Sequence, residues 1–308
     1  MGSGAASSAA VIAVTGAAAL GTLLHAQQPF RSGIDIVRFG VSVVDRQGKP
    51  VTGLTAQDFD VLENGTKQSV RYFAAGDPHE APPLHLGLLL DESGSMADDL
   101  DAARSAAVTF VNALSQAADV TLVSFDTDVR VARFGADDYP RLVERIRSRA
   151  ADGFTALYDA LGMYLGDAQN EDGQKVLVLY TDGGDTTSAM TFGDTLNLLK
   201  ASDVTVYAVG YLEHQSSTTA YAQRSELQRF AEITGGQAYF PTGSHDLKGV
   251  FDTIAKEVGA RYSLGYVSTD ARADGKWRDV QIKLLRKDLK GARLRTRAGY
   301  FAPYRVAK

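Results

Sequence analysis

Two apolar runs that each end in an aspartate constrain this chain most. Leu84-His85-Leu86-Gly87-Leu88-Leu89-Leu90 runs into Asp91, and Val176-Leu177-Val178-Leu179-Tyr180-Thr181 runs into Asp182. Each is short, leucine-rich or β-branched, and bounded by turn residues. That is the pattern of a strand buried in a parallel sheet. Both acids therefore fall at strand carboxyl ends. In open α/β sheets ligands bind along that edge, at a topological switch point.

From Leu84 onward, strand and helix patterns alternate. Strands are expected at 84–90, 120–125, 129–134, 175–181, 204–211 and 237–240, and helices at 98–118, 139–147, 156–167, 192–201, 226–233 and 246–258. The 98–118 segment places Leu100, Ala103, Ala107, Phe110, Val111 and Leu114 on one helical face. The 129–134 strand reads as an antiparallel edge neighbour of 120–125. Strands separated by helices define an α/β protein with a Rossmann-like, doubly wound, mainly parallel sheet covered on both faces. The flanks are β-rich instead. Strand patterns appear at 34–44, 59–62, 68–73, 262–267, 277–285 and 293–297, with Asn64-Gly65 as a hairpin turn. The expected organisation is a leader at 1–28, an N-terminal β module at 29–76, a linker at 77–83, the α/β domain at 84–259 and a C-terminal β segment at 260–308. The two β segments are expected to pack together as one accessory sandwich, with the α/β domain inserted between them.

Chemistry concentrates at the two strand ends. Asp91 is followed by Ser93 and Ser95 at alternating positions, and Thr155 lies in Gly153-Phe154-Thr155-Ala156-Leu157. With Asp182 these make two carboxylates and three hydroxyls, all hard oxygen donors. Such a set suits Mg²⁺, with Mn²⁺ or Ca²⁺ as alternatives. Ser93 and Ser95 could each cap a helix. Capping alone does not explain why the pair follows an aspartate at a strand end.

These five residues resemble the von Willebrand factor type A family and its metal-ion-dependent adhesion site, whose pattern is Asp-x-Ser-x-Ser followed by a distant Thr and a distant Asp. The resemblance covers roughly 84–258. The flanks, 34–73 and 262–301, resemble the extensions of a bacterial secreted subgroup, through Val51-Thr52-Gly53-Leu54-Thr55-Ala56-Gln57-Asp58-Phe59 and Arg297-Ala298-Gly299-Tyr300-Phe301. The resemblance implies that Asp91, Ser93, Ser95, Thr155 and Asp182 hold the metal. It also implies that a remaining coordination position accepts an Asp or Glu carboxylate from a protein partner, giving metal-dependent adhesion or scaffolding. Asp98 and Asp99 resemble a second, adjacent metal site of integrin β-subunits, but acids complementing a helix dipole account for them too, and that reading is preferred. Gly94 lets the backbone bend close to the ion. Asp185 either holds a loop near it or builds a turn, and Asp126 and Asp128 read as loop acids.

Other features narrow the function classes. The chain has no Cys, so disulfides, thiolate chemistry and cysteine metal sites are excluded. Its net charge of −5 gives no reason to expect nucleic acid binding. Residues 271–308 hold 12 Lys+Arg against 3 Asp+Glu. This run either meets an anionic partner or occupies solvent-facing strand positions, as in Trp277-Arg278-Asp279-Val280-Gln281-Ile282-Lys283-Leu284, and the second reading is preferred. Residues 8–24 are apolar or small and Ala26 follows, as in a secretory signal peptide or an uncleaved anchor, although no Lys or Arg precedes Arg31. Export to the periplasm, medium or cell surface is expected, with membrane contact only through that leader. No Gly-x-Ser-x-Gly elbow, zinc histidine pair or phosphate loop is present, so an enzyme is not expected. The alternatives carried forward are a structural envelope protein with a closed metal site and a Mg²⁺-dependent phosphotransfer enzyme.

Overall fold

The structure is a computed structural model that describes residues 36–76, 81–148, 150–182 and 184–304. The leader, its cleavage position at Ala26, and residues 77–80 of the expected linker lie outside these residues. The N-terminal flank contributes β1 (Ile36–Val44), β2 (Phe59–Glu63), β3 (Thr66–Gln68) and β4 (Val70–Ala75). The central region runs β5 (Leu84–Asp91), α1 (Leu100–Ala113), β6 (Asp119–Phe125), β7 (Val129–Gly135), α2 (Tyr139–Arg147), α3 (Leu157–Ala168) and β8 (Gln174–Thr181). It continues through α4 (Phe192–Ala201), β9 (Thr205–Gly210), α5 (Ser217–Thr234), β10 (Ala238–Tyr239) and α6 (Leu247–Gly259). The C-terminal flank adds β11 (Tyr262–Val267), β12 (Trp277–Leu284), β13 (Arg293–Arg295) and β14 (Gly299–Phe301).

The central sheet has the order β10-β9-β8-β5-β6-β7. All neighbours are parallel except β7, which runs antiparallel to β6. Side chains alternate across β5 because successive Cβ atoms point to opposite faces. Leu86, Leu88 and Leu90 join one core with α1, α2 and α6, while Leu89 joins the other with α3, α4 and α5. Gly87 lies on that second face, where a Cβ would fall 2.4 Å from ring carbons of Tyr164 on α3. The glycine therefore admits an aromatic ring against the strand. From β5 the chain moves to β6 on one side and later returns to β8 on the other, so the sheet's switch point lies at β5.

Helix ends follow local chemistry. Thr191 caps α4 by accepting from the Asp194 N–H, and the Asp194 side chain answers the Thr191 backbone. Helix α5 begins at Ser217, nine residues before the expected start at 226. Its first half (Ser217-Thr218-Thr219-Ala220-Tyr221-Ala222) is polar and exposed, so no apolar period marks it; Ser216 supplies the cap instead. Gly235 ends it with φ 76°, a left-handed position suited to glycine.

The flanks interleave into two antiparallel sheets, β13-β1-β11-β4 and β14-β12-β2-β3, each drawing strands from both ends of the chain. Phe39, Val41, Val43, Tyr262, Leu264 and Tyr266 of one sheet share a core with Phe59, Val61, Val280 and Ile282 of the other. Two details differ from the sequence reading. The segment read as one strand at 68–73 divides into β3 and β4, which enter different sheets. Arg278, read as solvent-facing, is buried: it is in phase with Val280 and Ile282, and its guanidinium is neutralised by Asp274 at 2.9 Å and Asp270 at 3.2 Å. The flanking sheets and the α/β layer belong to one compact unit.

Candidate metal centre

The carboxyl ends of β5 and β8 bring four of the five expected ligand side chains into one hydrogen-bonded chain. Asp91 Oδ1 accepts from the Ser93 N–H at 2.9 Å. The Ser93 and Ser95 hydroxyl oxygens lie 3.2 Å apart, and Ser95 Oγ donates to Asp182 Oδ1 at 2.9 Å. Neither serine side chain caps the short 3-10 turn Gly94–Met96 or α1. The Ser95 hydroxyl is committed to the Asp182 carboxylate instead, and the Ser93 hydroxyl to Ser95.

Thr155 is buried on a loop knitted to the same place by its backbone. Its N–H donates to Thr186 Oγ1 at 2.9 Å, and its carbonyl accepts from the Thr186 N–H at 2.9 Å. The Gly94 N–H donates to the Gly153 carbonyl and the Asp152 N–H to the Glu92 carbonyl. Gly153 has φ 77°, with Thr127 Oγ1 2.6 Å from where a Cβ would sit. That close approach needs glycine. The Thr127 hydroxyl accepts from the Phe154 N–H at 2.9 Å. These loops converge from four separate stretches of chain, at 92–94, 127, 152–155 and 186.

Burial sets the electrostatics. Asp91 is 0% exposed. Burial pushes its carboxyl up to about 6, against the lowering pull of hydrogen bonds from Ser93 and Thr181, with the Asp182 charge adding to the rise. Asp182 is raised for the same first reason, and the Ser95 hydroxyl opposes it. Two buried acids at one strand edge favour a cation between them or a proton on one of them. The donor set is all hard oxygen and fits a divalent ion.

Sequence reasoning missed several supporting residues. Thr181 Oγ1 donates to Asp91 Oδ2 at 2.5 Å, orienting the carboxylate from the end of β8. Glu92, a variable position of the motif, is buried with Arg104 of α1 at 3.5 Å. The signal was there: Arg104 sits four residues from Leu100, on the buried helical face. Gln215 donates to the Asp182 carbonyl at 3.1 Å. Helix α1 begins at Leu100, so Asp98 and Asp99 precede its first turn. Asp98 is exposed, whereas Asp99 is buried with its Oδ2 3.0 Å from His214 Nε2. Asp185 Oδ1 accepts from the Tyr158 N–H at 3.2 Å and from the Ser188 hydroxyl, fastening the loop after β8 to the start of α3. Asp126 accepts from the Asp128 N–H and pairs with Arg130.

A second group of ionisable side chains, His85, Asp119 and Glu171, gathers at the opposite ends of the strands, with ligand atoms within 4.8 Å of one another. Arg133 bonds both carboxylates there, so a guanidinium already supplies the positive charge.

A family model for the von Willebrand factor type A domain matches residues 85–253. The match spans more than half of the chain, and the chain belongs to this family. Among solved structures it is similar to the von Willebrand factor type A protein from Catenulispora acidiphila, at 16% identity over 90% of this chain and 76% of that one, with a TM-score of 0.50. It also resembles the PilB minor pilin from Streptococcus sanguinis (16% identity, 58% of this chain and 62% of that one, TM-score 0.49). The vWF domain of the type V pili tip protein Mfa5 from Porphyromonas gingivalis is similar at 13% identity, over 58% of this chain and 95% of that one, with a TM-score of 0.48. A search of curated proteins finds no match. Among the described residues no helix is long and apolar enough to cross a membrane.

Proposed function

We propose that this protein is an exported, Mg²⁺-dependent adhesion or scaffolding module that binds an acidic side chain of a protein partner. Asp91, Ser93, Ser95, Thr155 and Asp182 are the residues that would hold the ion. The observation that carries the reading is the hydrogen-bonded chain from Asp91 through the Ser93 amide and the Ser93 and Ser95 hydroxyls to Asp182, assembled across the switch point of the sheet. When bound, the ion supplies a Lewis-acidic position for an external carboxylate. The protein's own contribution is to orient the oxygens: Thr181 and the Ser93 amide fix Asp91, and Ser95 fixes Asp182.

The exposure of the rim favours adhesion over a closed structural site. Gly94, Ser95 and Phe154 are exposed beside the buried acids. Phe154 is 66% exposed, an apolar contact for whatever presents the carboxylate. We read the site as non-enzymatic, because the pattern supplies neither a nucleophile with its base nor a lysine beside the acids.

Calorimetric titration of Mg²⁺, Mn²⁺ and Ca²⁺ into the full chain tests the assignment. One divalent site is expected, lost in Asp91→Ala and in Asp182→Ala with circular dichroism preserved. Unchanged metal binding in both variants overturns it. Partner capture from surface fractions that survives chelation would overturn the adhesive role alone.

A further inference from the structure

A cavity of about 40 Å³ lies where the flanking sheet meets the amino ends of β8 and β9, on the far side of the sheet from Asp91; Arg38, Gly40, Lys175, Asp203, Arg261 and Arg297 line it. Four of these six are cations and one is an acid. Along β1 and β11, Phe39, Val41 and Tyr262 enter the sandwich core, while Gly40 and Ser263 line this joint.

The charges here are not balanced. Lys175 already holds both oxygens of Asp203, at 2.9 and 2.7 Å. Arg297, half-buried, donates to the carbonyls of Ser202 at 3.1 Å and Arg38 at 3.0 Å and lies over the Phe39 ring; burial lowers its pKa, against the raising charge of Asp203, which Lys175 already shares. Arg261 is 3% exposed. Its Nη2 donates to Thr205 Oγ1 at 2.9 Å, but Nε and Nη1 are buried with no hydrogen-bond partner among the described residues. No carboxylate among the described residues forms an ion pair with Arg261 or Arg297. A buried guanidinium without a counter-charge is strongly disfavoured. Gly40 shows that the placement is built: its φ is not in the left-handed region, yet a Cβ there would lie 2.2 Å from Arg261 Nη2.

We propose that this joint binds one small inorganic anion, chloride or a single tetrahedral oxyanion, which neutralises Arg261 and Arg297. At about 40 Å³ the space exceeds the roughly 10–15 Å³ that one water needs on the same measure, and suits an ion of a few atoms. The bound ion ties β1 and the C-terminal flank to β8 and β9, and so clamps the flanking sheets to the α/β layer. The site is independent of the metal centre.

The test is thermal unfolding of the full chain in chelator and sodium gluconate at fixed ionic strength, with chloride, phosphate and sulfate exchanged in separately. Wild type is expected to show a saturable rise in Tm with chloride or with the oxyanions, and the responding arm identifies the ion. Arg261→Gln should lose the response. If that variant does not fold, Asp203→Asn decides: removing the one lining acid frees Lys175 and should lower the midpoint concentration by about tenfold. No saturable response in wild type, which is the result for a cavity holding only water, overturns the proposal. So does a response retained in Arg261→Gln, or an identical midpoint in Asp203→Asn.

Discussion

Replacing Asp91 by Asn should remove a pH-dependent instability that the fold imposes on the proposed metal site. Asp91 is fully buried, and burial lifts its carboxyl from the ordinary 3.8 to about 6. A carboxyl that holds its proton more tightly when folded stabilises the fold only while it is protonated. In metal-free protein, stability therefore falls as pH rises from 3.8, and the loss is complete above about 6. At about 1.4 kcal/mol per pH unit the gap amounts to about 3 kcal/mol. That is a substantial share of the roughly 5–15 kcal/mol by which domains are stable. Asp182 is raised too and adds in the same sense, so the comparison with Asp91→Asn isolates the Asp91 share. Urea unfolding at pH 3 to 8 in chelator should show wild type losing about 3 kcal/mol more than Asp91→Asn. Added Mg²⁺ should restore wild type above pH 6, because the ion replaces the proton as counter-charge, and should do nothing for the variant. Metal affinity should weaken as pH falls below 6 for the same reason. Wild type and variant tracking each other across this range in chelator would refute the argument that burial, rather than hydrogen bonding, dominates at Asp91.

Further perturbations test other parts of the structure. Phe154→Ala should leave Mg²⁺ binding intact in calorimetry and weaken partner capture by tenfold or more, on the order of 1–2 kcal/mol for an exposed aromatic anchor. Gly235→Ala should cost at least about 2 kcal/mol in urea unfolding, since a left-handed φ of 76° meets a Cβ contact of 2.3 Å with the Thr296 backbone. Gly87→Ala should cost about 1–3 kcal/mol by driving Tyr164 off β5, with metal affinity little changed. Asp185→Asn should loosen the loop after β8, seen as faster amide exchange at Tyr158 and Ser188.

Much of the α/β layer was legible in the sequence. Helix α2 at 139–147 and α4 at 192–201 agree with their apolar periods, and the buried face of α1 matches its spacing. Misses fall where periodicity is silent: the polar first half of α5, and β14, whose three residues depend on pairing with β12. The division at Ser69 between β3 and β4 is invisible to alternation, because both halves are extended and only their sheet partners differ.

Local chemistry along the chain determined that two apolar strands end in acids, that hydroxyls follow the first, and that helices must cover both sides. Those properties are set by neighbours within a few residues. Tertiary structure alone decided that Ser95 reaches Asp182 across 87 positions and that Thr181 orients Asp91. It also turned Arg278 inward and left Arg261 with unanswered donors beneath Gly40. Hydrogen bonds and desolvation depend on what folding brings within about 3 Å, and separation along the chain carries no record of that distance.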